Sequence, residues 1–588
     1  MSAILSADDL NDFISPSVAC IKPIESLPTA PPQSSDADPS SLENEVILDG
    51  QQQPSGSTST SDGPSKISLT DCLACSGCVT SAEAVLVSLQ SHNEVLSLLD
   101  SAPALQVRGP SHGDGQFSVE GLENPDAKLF VASVSPQTRA SLAAAFGQGM
   151  TESQAGHVIE RLLRGDEGLR AGGQYNNGFT WVFDTNTARE ATLVLGADEV
   201  REGEAALAKP VLTSSCPGWI CYAEKTHPHV LPHLSRVKSP QALIGTLLKT
   251  TLSKKLGISP DRIWHLAVMP CLDKKLEASR EELTDSVWAG DGNPGRGVRD
   301  VDCVITSKEI LMLTESRGID LFSLPKTPLS QPTAAFPDSQ LHKFLFPRRG
   351  GKQQSPAAGT SGGNLHFILQ DVQSRNPGSQ IAVARGRNVD VVDYNIISAS
   401  GEPIFKAARY YGFRNIQNIV RKLKPLKASK MPGGRPFGSA RRPTAQAKSL
   451  DYSYIEVMAC PGGCTNGGGQ VKVSEPVVME RNGWTANPGP EEQKQWLAQV
   501  DEAYFSASDS ETEDVDMSSS PVGGAEDLVD GISPSHIRDT LAHWSDITGI
   551  ELTRLAYTSF REVISDVGKD SSDKANVVQL AGKIGGGW

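Results

Sequence analysis

Four cysteines in three separate segments restrict this chain more than any other feature. Cys216 follows Pro-Val-Leu-Thr, Cys271 follows the run Ile-Trp-His-Leu-Ala-Val-Met closely, and Cys460, with Cys464 just beyond, comes after Ser-Tyr-Ile-Glu-Val-Met. Each run has the apolar, β-branched character of a short buried strand. In open α/β folds ligands gather outside the carboxyl ends of parallel strands, so a parallel core would bring these four thiols to one place. A proline adjoins Cys216, Cys271 and Cys460, and fixes a torsion beside each. Pro217 predicts the first residue of a helix whose N-terminus faces an anionic centre. Gly467, Gly468 and Gly469 predict a backbone that closely approaches something bulky and rigid. Cys221 and Cys303 read instead as small apolar core residues.

Three more cysteines form the run Cys72-x-x-Cys75-x-x-Cys78, and Cys20 is the remaining one in the N-terminal third. Thiolates at this pitch do not share one face of a regular helix, but an irregular loop converges them around a corner of a [4Fe-4S] cube. Gly77 lets that loop turn tightly. Structural zinc more often takes two separated Cys or His pairs, which leaves a zinc-stapled interaction protein as a competing reading. Cys20 is the expected fourth ligand, with Cys221 and Cys303 as alternatives.

Between the cysteines the pattern alternates. Strands are predicted over 127–134, 180–183, 262–269 and 301–306, and helices over 136–147, around Val158 to Leu163, and over 186–207, 240–256 and 307–316. This βαβα order favours α/β architecture with parallel sheets flanked by helices. An N-terminal cysteine segment, 1–100, precedes the α/β core, 125–505; an acidic linker, 506–525, and a helical C-terminal segment with its tail, 526–588, follow. Residues 28–66 are dominated by Pro, Ser, Asp, Gln and Gly and predict a disordered insert. Residues 325–360 predict a flexible surface loop, and 422–448, basic from Lys422 to Lys448 without an acid, a solvated flexible insert. The acidic run from Asp509 to Asp516 reads as its solvated counterpart.

At 588 residues the chain is long enough for two or more subdomains. Its formal charge of -15 argues against general nucleic-acid binding. No apolar run is long enough to span a bilayer and the first residues are acidic, so the expected compartment is the cytoplasm, with no membrane partner. In that reducing setting ten cysteines predict metal ligands and core thiols rather than disulfides.

The three cysteine segments, Thr213-Ser-Ser-Cys-Pro-Gly-Trp219, Met269-Pro-Cys-Leu-Asp-Lys274 and Glu456-Val-Met-Ala-Cys-Pro-Gly-Gly-Cys464, resemble the signature loops of iron-only hydrogenases. The whole chain is similar to their eukaryotic relatives, the hydrogenase-like cytosolic iron-sulfur protein assembly factors related to the nuclear prelamin A recognition factor. The match covers 1–25 and 66–588, polar inserts excepted. It implies an inner [4Fe-4S] cluster on Cys216, Cys271, Cys460 and Cys464, between two subdomains, and a second on Cys20, Cys72, Cys75 and Cys78. In hydrogenases the cysteine matching Cys464 also bridges to a two-iron unit. Lys274 and Glu277 stand where that family keeps a lysine near the two-iron ligands and a proton-path glutamate; the bland alternative is an i, i+3 ion pair. Gly362 and Gly363 resemble a further glycine-rich loop.

Two departures weigh against an iron-only hydrogenase, the main alternative. Ser215 stands where hydrogenases usually have a proton-passing cysteine, and a hydroxyl is far less acidic than a thiol of pKa about 8.5. The N-terminus also carries cysteines for a single accessory cluster. The resemblance therefore implies a non-catalytic factor linking an early scaffold to the late targeting complex, with the nucleus as a second compartment. Trp588, an indole and a carboxylate at the end of Gly585-Gly-Gly, offers that targeting complex a tail to capture; a tail without a role is the equal alternative.

Overall fold

The computed structural model describes residues 87, 89–110, 115–147, 149–202, 207–289, 295–330, 334–347, 355–424, 451–484, 488–506 and 527–563. Cys20, Cys72, Cys75, Cys78, the insert 28–66, the acidic run and Trp588 lie outside them, as does most of the basic insert.

Eleven strands are present among the described residues: β1 (Gln106–Arg108), β2 (Ser118–Glu120), β3 (Leu129–Val134), β4 (Trp181–Asp184), β5 (Val211–Leu212), β6 (Ile263–Met269), β7 (Cys303–Thr306), β8 (Gln380–Arg385), β9 (Val391–Ile397), β10 (Pro403–Tyr411) and β11 (Tyr454–Met458). β1 and β2 form a small antiparallel ribbon. A four-stranded sheet runs β4-β3-β6-β7 and is parallel throughout. A five-stranded sheet runs β5-β11-β10-β9-β8; β5, β11 and β10 are parallel, while β9 and β8 continue it antiparallel.

The pleat sorts these strands into layers. In β3, Leu129 and Val131 face one core, whereas Phe130, Ala132 and Val134 face another. The first core also contains Ile396, Ala407 and Tyr454 from the five-stranded sheet and residues of the helices Thr185–Glu202, Pro240–Leu256 and Asn364–Ser374. These helices lie between the two sheets. On the far face of the four-stranded sheet pack the helices Pro136–Phe146, Glu152–Arg164, Ser307–Arg317 and Pro490–Tyr504. Pro217–Thr226 and Phe413–Leu423 cover Ile455 and Val457 on the outer face of the other sheet. Strands buried on both faces explain the continuous apolar runs of β3 and β6.

Local signals start the helices where the sequence places them. Ser135 caps Thr138 N–H ahead of Pro136, Ser239 caps Ala242 N–H ahead of Pro240, and Thr306 forms a capping box with Glu309. The C-terminal segment packs Pro534–Thr548 onto the interlayer helices, with fully buried Trp544 donating to Thr250 Oγ1 at 3.0 Å.

The expected parallel sheets flanked by helices are present, and β9 and β8 extend one of them antiparallel, a mixed edge common in large sheets. One expectation needs correction. Residues 334–346, within the expected loop 325–360, are a core element: Ser339–Leu345 is a helix, and Ala335, Phe336, Leu341 and Leu345 are buried. Phe336 sits edge-on to Trp181 and Phe183 at 5.8 and 6.0 Å, and Trp181 Nε1 donates to Ala334 O at 2.7 Å. Polar flanks conceal this apolar plug in the composition. Phe336→Ala is expected to cost about 3 to 5 kcal/mol, read as a lower urea midpoint; an unchanged midpoint would return the segment to the surface.

Candidate metal centre

Each cysteine segment leaves the carboxyl end of a strand. Cys216 follows β5 and is the N-cap of the helix Pro217–Thr226, as the proline predicts. Cys271 follows β6 and immediately precedes the short helix Asp273–Ala278. Cys460 and Cys464 follow β11. The first and last of these strands pair directly, and β6 belongs to the other sheet, so the loops meet between the two layers.

The four thiols are free and lie within electrostatic reach of one another; Cys460 is buried, and Cys216, Cys271 and Cys464 are half-buried. Burial pushes Cys216 up to about 12, with Cys464 adding to it, while the N–H groups of Trp219 and Ala459 act in the opposite direction. Ala459 N–H donates to Cys216 Sγ at 3.4 Å. Cys271 is held well above the ordinary thiol range by burial, then by Asp273 and Cys216, with Lys274 opposing. Burial likewise raises Cys460, helped by Cys464, Cys271 and Cys216. Cys464 is raised by burial and lowered by Ser361 and Lys274. None of the four is in a disulfide.

Four desolvated thiols, three of which oppose ionisation of a neighbour, fit a cationic iron-sulfide core, which takes them as thiolates and relieves that repulsion. Among the described residues no group of three or more His, Cys, Asp or Glu side chains forms a cage for one metal ion. A cubane takes its thiolates from further apart, at the corners of a larger body. Such a cluster would be held by Cys216, Cys271, Cys460 and Cys464, and supplies one-electron chemistry or transferable iron and sulfide when bound. N–H donors to sulfur, as at Cys216, tune such a centre.

Two glycines shape the loops. Gly463 has φ of 115°, and a Cβ there would lie 2.5 Å from Thr360 Oγ1 and 3.0 Å from Ser361 Oγ. Removing the side chain lets Cys464 N–H reach Ser361 Oγ at 3.1 Å. Gly469 lies against the Thr306 side chain, and its Cβ would be 3.2 Å from Cys271 Cα. Gly467 and Gly469 therefore let the loop after Cys464 approach the protein itself, at the Pro270 carbonyl and at the Thr306 side chain and Cys271 backbone. Thr360, Thr465 and Asp501 were not legible as site residues: Thr465 Oγ1 donates to Asp501 at 2.6 Å and stands 3.1 Å from Thr360 Oγ1, bracing the last loop.

Lys274 and Glu277 do form the i, i+3 pair, at 2.8 Å, but it is interior, with side chains 8% and 9% exposed. Lys274 Nζ also donates to Ser215 O at 3.2 Å, and Gln241 Nε2 donates to Glu277 Oε2 at 3.2 Å. The lysine thus ties the Cys216 segment to the helix after Cys271. Ser215 Oγ is buried with no hydrogen-bond partner. Gly362 accepts from Arg189 through its carbonyl at 3.1 Å, and Gly363 is the left-handed N-cap of Asn364–Ser374. Cys303 is buried in β7 and Cys221 lies on the helix after Cys216.

These features define an iron-only hydrogenase-like α/β protein. The family model for the C-terminal domain of the iron-only hydrogenase large subunit matches residues 128–468. Among solved structures, a variant of the FeFe-hydrogenase HydA1 from Chlamydomonas reinhardtii is 21% identical, with a TM-score of 0.50 over 81% of this chain and 100% of that one, a likeness of fold. The protein named cytosolic Fe-S cluster assembly factor nar-1 from Neurospora crassa is 69% identical over 594 residues, covering 100% of both chains. The similarly named proteins from Chaetomium globosum and Emericella nidulans are 68% and 55% identical, again over 100% of both chains. The chain belongs to the iron-only hydrogenase-like family of cytosolic iron-sulfur protein assembly factors.

Lys274→Met strands the Glu277 carboxylate in the interior and is expected to cost about 3 to 5 kcal/mol. Ser215→Ala removes an unpartnered hydroxyl and is expected to leave stability equal or higher. Chemical unfolding of both variants checks this contrast.

Proposed function

We propose that this chain acts in cytosolic iron-sulfur protein assembly as a non-catalytic carrier or adaptor that binds two [4Fe-4S] clusters. The inner cluster is held by Cys216, Cys271, Cys460 and Cys464, and the N-terminal one by Cys20, Cys72, Cys75 and Cys78. In this role it links an early scaffold that builds clusters to the late targeting complex that delivers them to cytosolic and nuclear apoproteins, with Trp588 as the tail the targeting complex captures. Its place is the cytoplasm, with the nucleus as a second site. What carries the reading is the meeting of four free thiols, one buried and three half-buried, at the ends of strands from both sheets, in a chain whose full-length relatives are named assembly factors.

Hydrogenase activity is the alternative, and Ser215 weighs against it. The hydroxyl stands beside Cys216 without a partner, and the neighbouring Lys274 ammonium is engaged by Glu277 and by the Ser215 carbonyl. No relay of hydrogen bonds leads from Ser215 Oγ among the described residues. Among those residues, too, no helix is long and apolar enough to cross a membrane.

The test compares Cys72→Ala with Cys216→Ala in full-length protein purified without oxygen, measuring iron content and maturation of a cytosolic iron-sulfur enzyme. Each variant is expected to lose about half of the iron and most of the maturation. Full iron and normal maturation in both would refute the proposal. Hydrogen evolution from a reduced dye, with infrared bands of carbonyl and cyanide ligands, would favour the enzyme.

A further inference from the structure

Gln90 lies a dozen residues past Cys78 and is almost wholly buried, an unusual place for a glutamine. β7 is the outer edge of the four-stranded sheet, where backbone N–H groups need a partner from outside the ladder. Gln90 supplies one: its Oε1 accepts from Val304 N–H at 3.1 Å. Its Nε2 donates to Lys275 O at 3.0 Å and Ser279 Oγ at 2.8 Å, both at the helix that follows Cys271. Lys275 answers by donating its fully buried ammonium to Gln90 O at 2.5 Å and to Glu309 Oε1 at 2.7 Å.

These bonds reach the inner site along two arms. On one, the helix Asp273–Ala278 carries Lys275 beside Lys274, whose ammonium holds the Ser215 carbonyl next to Cys216. On the other, Glu309 Oε2 accepts from Thr306 N–H at 2.9 Å and from Thr306 Oγ1 at 3.0 Å. The Thr306 side chain rests on Gly469, whose N–H donates to Pro270 O at 3.0 Å, just ahead of Cys271. Both polar atoms of the Gln90 side chain and both carboxylate oxygens of Glu309 are engaged in this clamp, so partial opening leaves buried polar groups unpaired.

We propose that Gln90 and Lys275 are positioning residues that clamp the stretch 89–101, which follows the N-terminal cysteines in sequence, onto the helix that follows Cys271 of the inner site, so that docking of this stretch and filling of the inner site stabilise each other. The proposal rests on the two-cluster reading above. Because coupling between two equilibria is reciprocal, emptying the inner site loosens Gln90, and removing Gln90 loosens the inner site.

The experiment uses the full-length chain with Cys72→Ala and Cys75→Ala, so that only inner iron is counted. Iron and acid-labile sulfide are measured first, then the rate of iron release to a chelator with and without Gln90→Ala. Hydrogen exchange is followed over residues 89–101 and over the helix Pro534–Thr548. Release is expected to be about 10-fold faster or more in Gln90→Ala, the usual scale for losing a supporting hydrogen-bond partner of a metal site. In a Cys460→Ser chain, exchange over 89–101 is expected to rise while Pro534–Thr548 stays protected. Equal release rates overturn the clamp, as does exchange rising equally in both regions, which marks general destabilisation. Absence of inner iron and sulfide before Gln90 is changed would instead sink the underlying cluster reading. Should Cys460→Ser fail to fold, the Gln90→Ala release rate decides alone.

Discussion

Gathering four thiols out of bulk water beside one another is the constraint on which the rest of this structure turns. Each of Cys216, Cys271, Cys460 and Cys464 is desolvated, and Cys216, Cys271 and Cys464 make ionisation of neighbouring thiols harder. Such a group is held either by keeping its protons or by gathering around a positive core, and only the second makes thiolates useful as ligands. The two sheets are placed to make that choice. Adjacent strands β5 and β11 deliver three of the thiols, while β6 brings the fourth from the other sheet. A bound cluster then becomes a rivet across the interlayer core.

The protein already holds part of this arrangement with ordinary contacts. Lys274 spans from Glu277 to the Ser215 carbonyl, Ser361 receives Cys464 N–H, and Gly469 lets the last loop lie flat against Thr306 and Cys271. A buried ion pair of this kind is weak evidence for stability, because desolvation offsets much of the attraction. Its value lies in geometry. It fixes one helix against one loop at the point where two thiols must not drift.

Much of this was legible in the sequence, because the signals were local. Pro136, Pro240 and Thr306 announce helix starts from their own neighbourhoods, and the apolar runs before Cys216, Cys271 and Cys460 mark strands buried on both faces. The convergence of the three loops followed from where parallel strands end. What escaped depends on distant partners. Phe336 is a plug only because Trp181 and Phe183 wait on another strand, and its Pro- and Ser-rich flanks speak for a loop. Gln90 looks like any polar linker residue until Lys275 and Val304 stand beside it. Gly469 announces a close approach, but nothing in the sequence says that it is Thr306 and Cys271 that the backbone approaches.

The most direct test of the central claim is a count of iron, zinc and acid-labile sulfide per chain on full-length protein purified anaerobically. Two cubanes predict about eight irons with matching sulfide and negligible zinc. Zinc without sulfide would contradict the account, leaving the hydrogenase-like fold as ancestry and the four thiols as ligands of another kind.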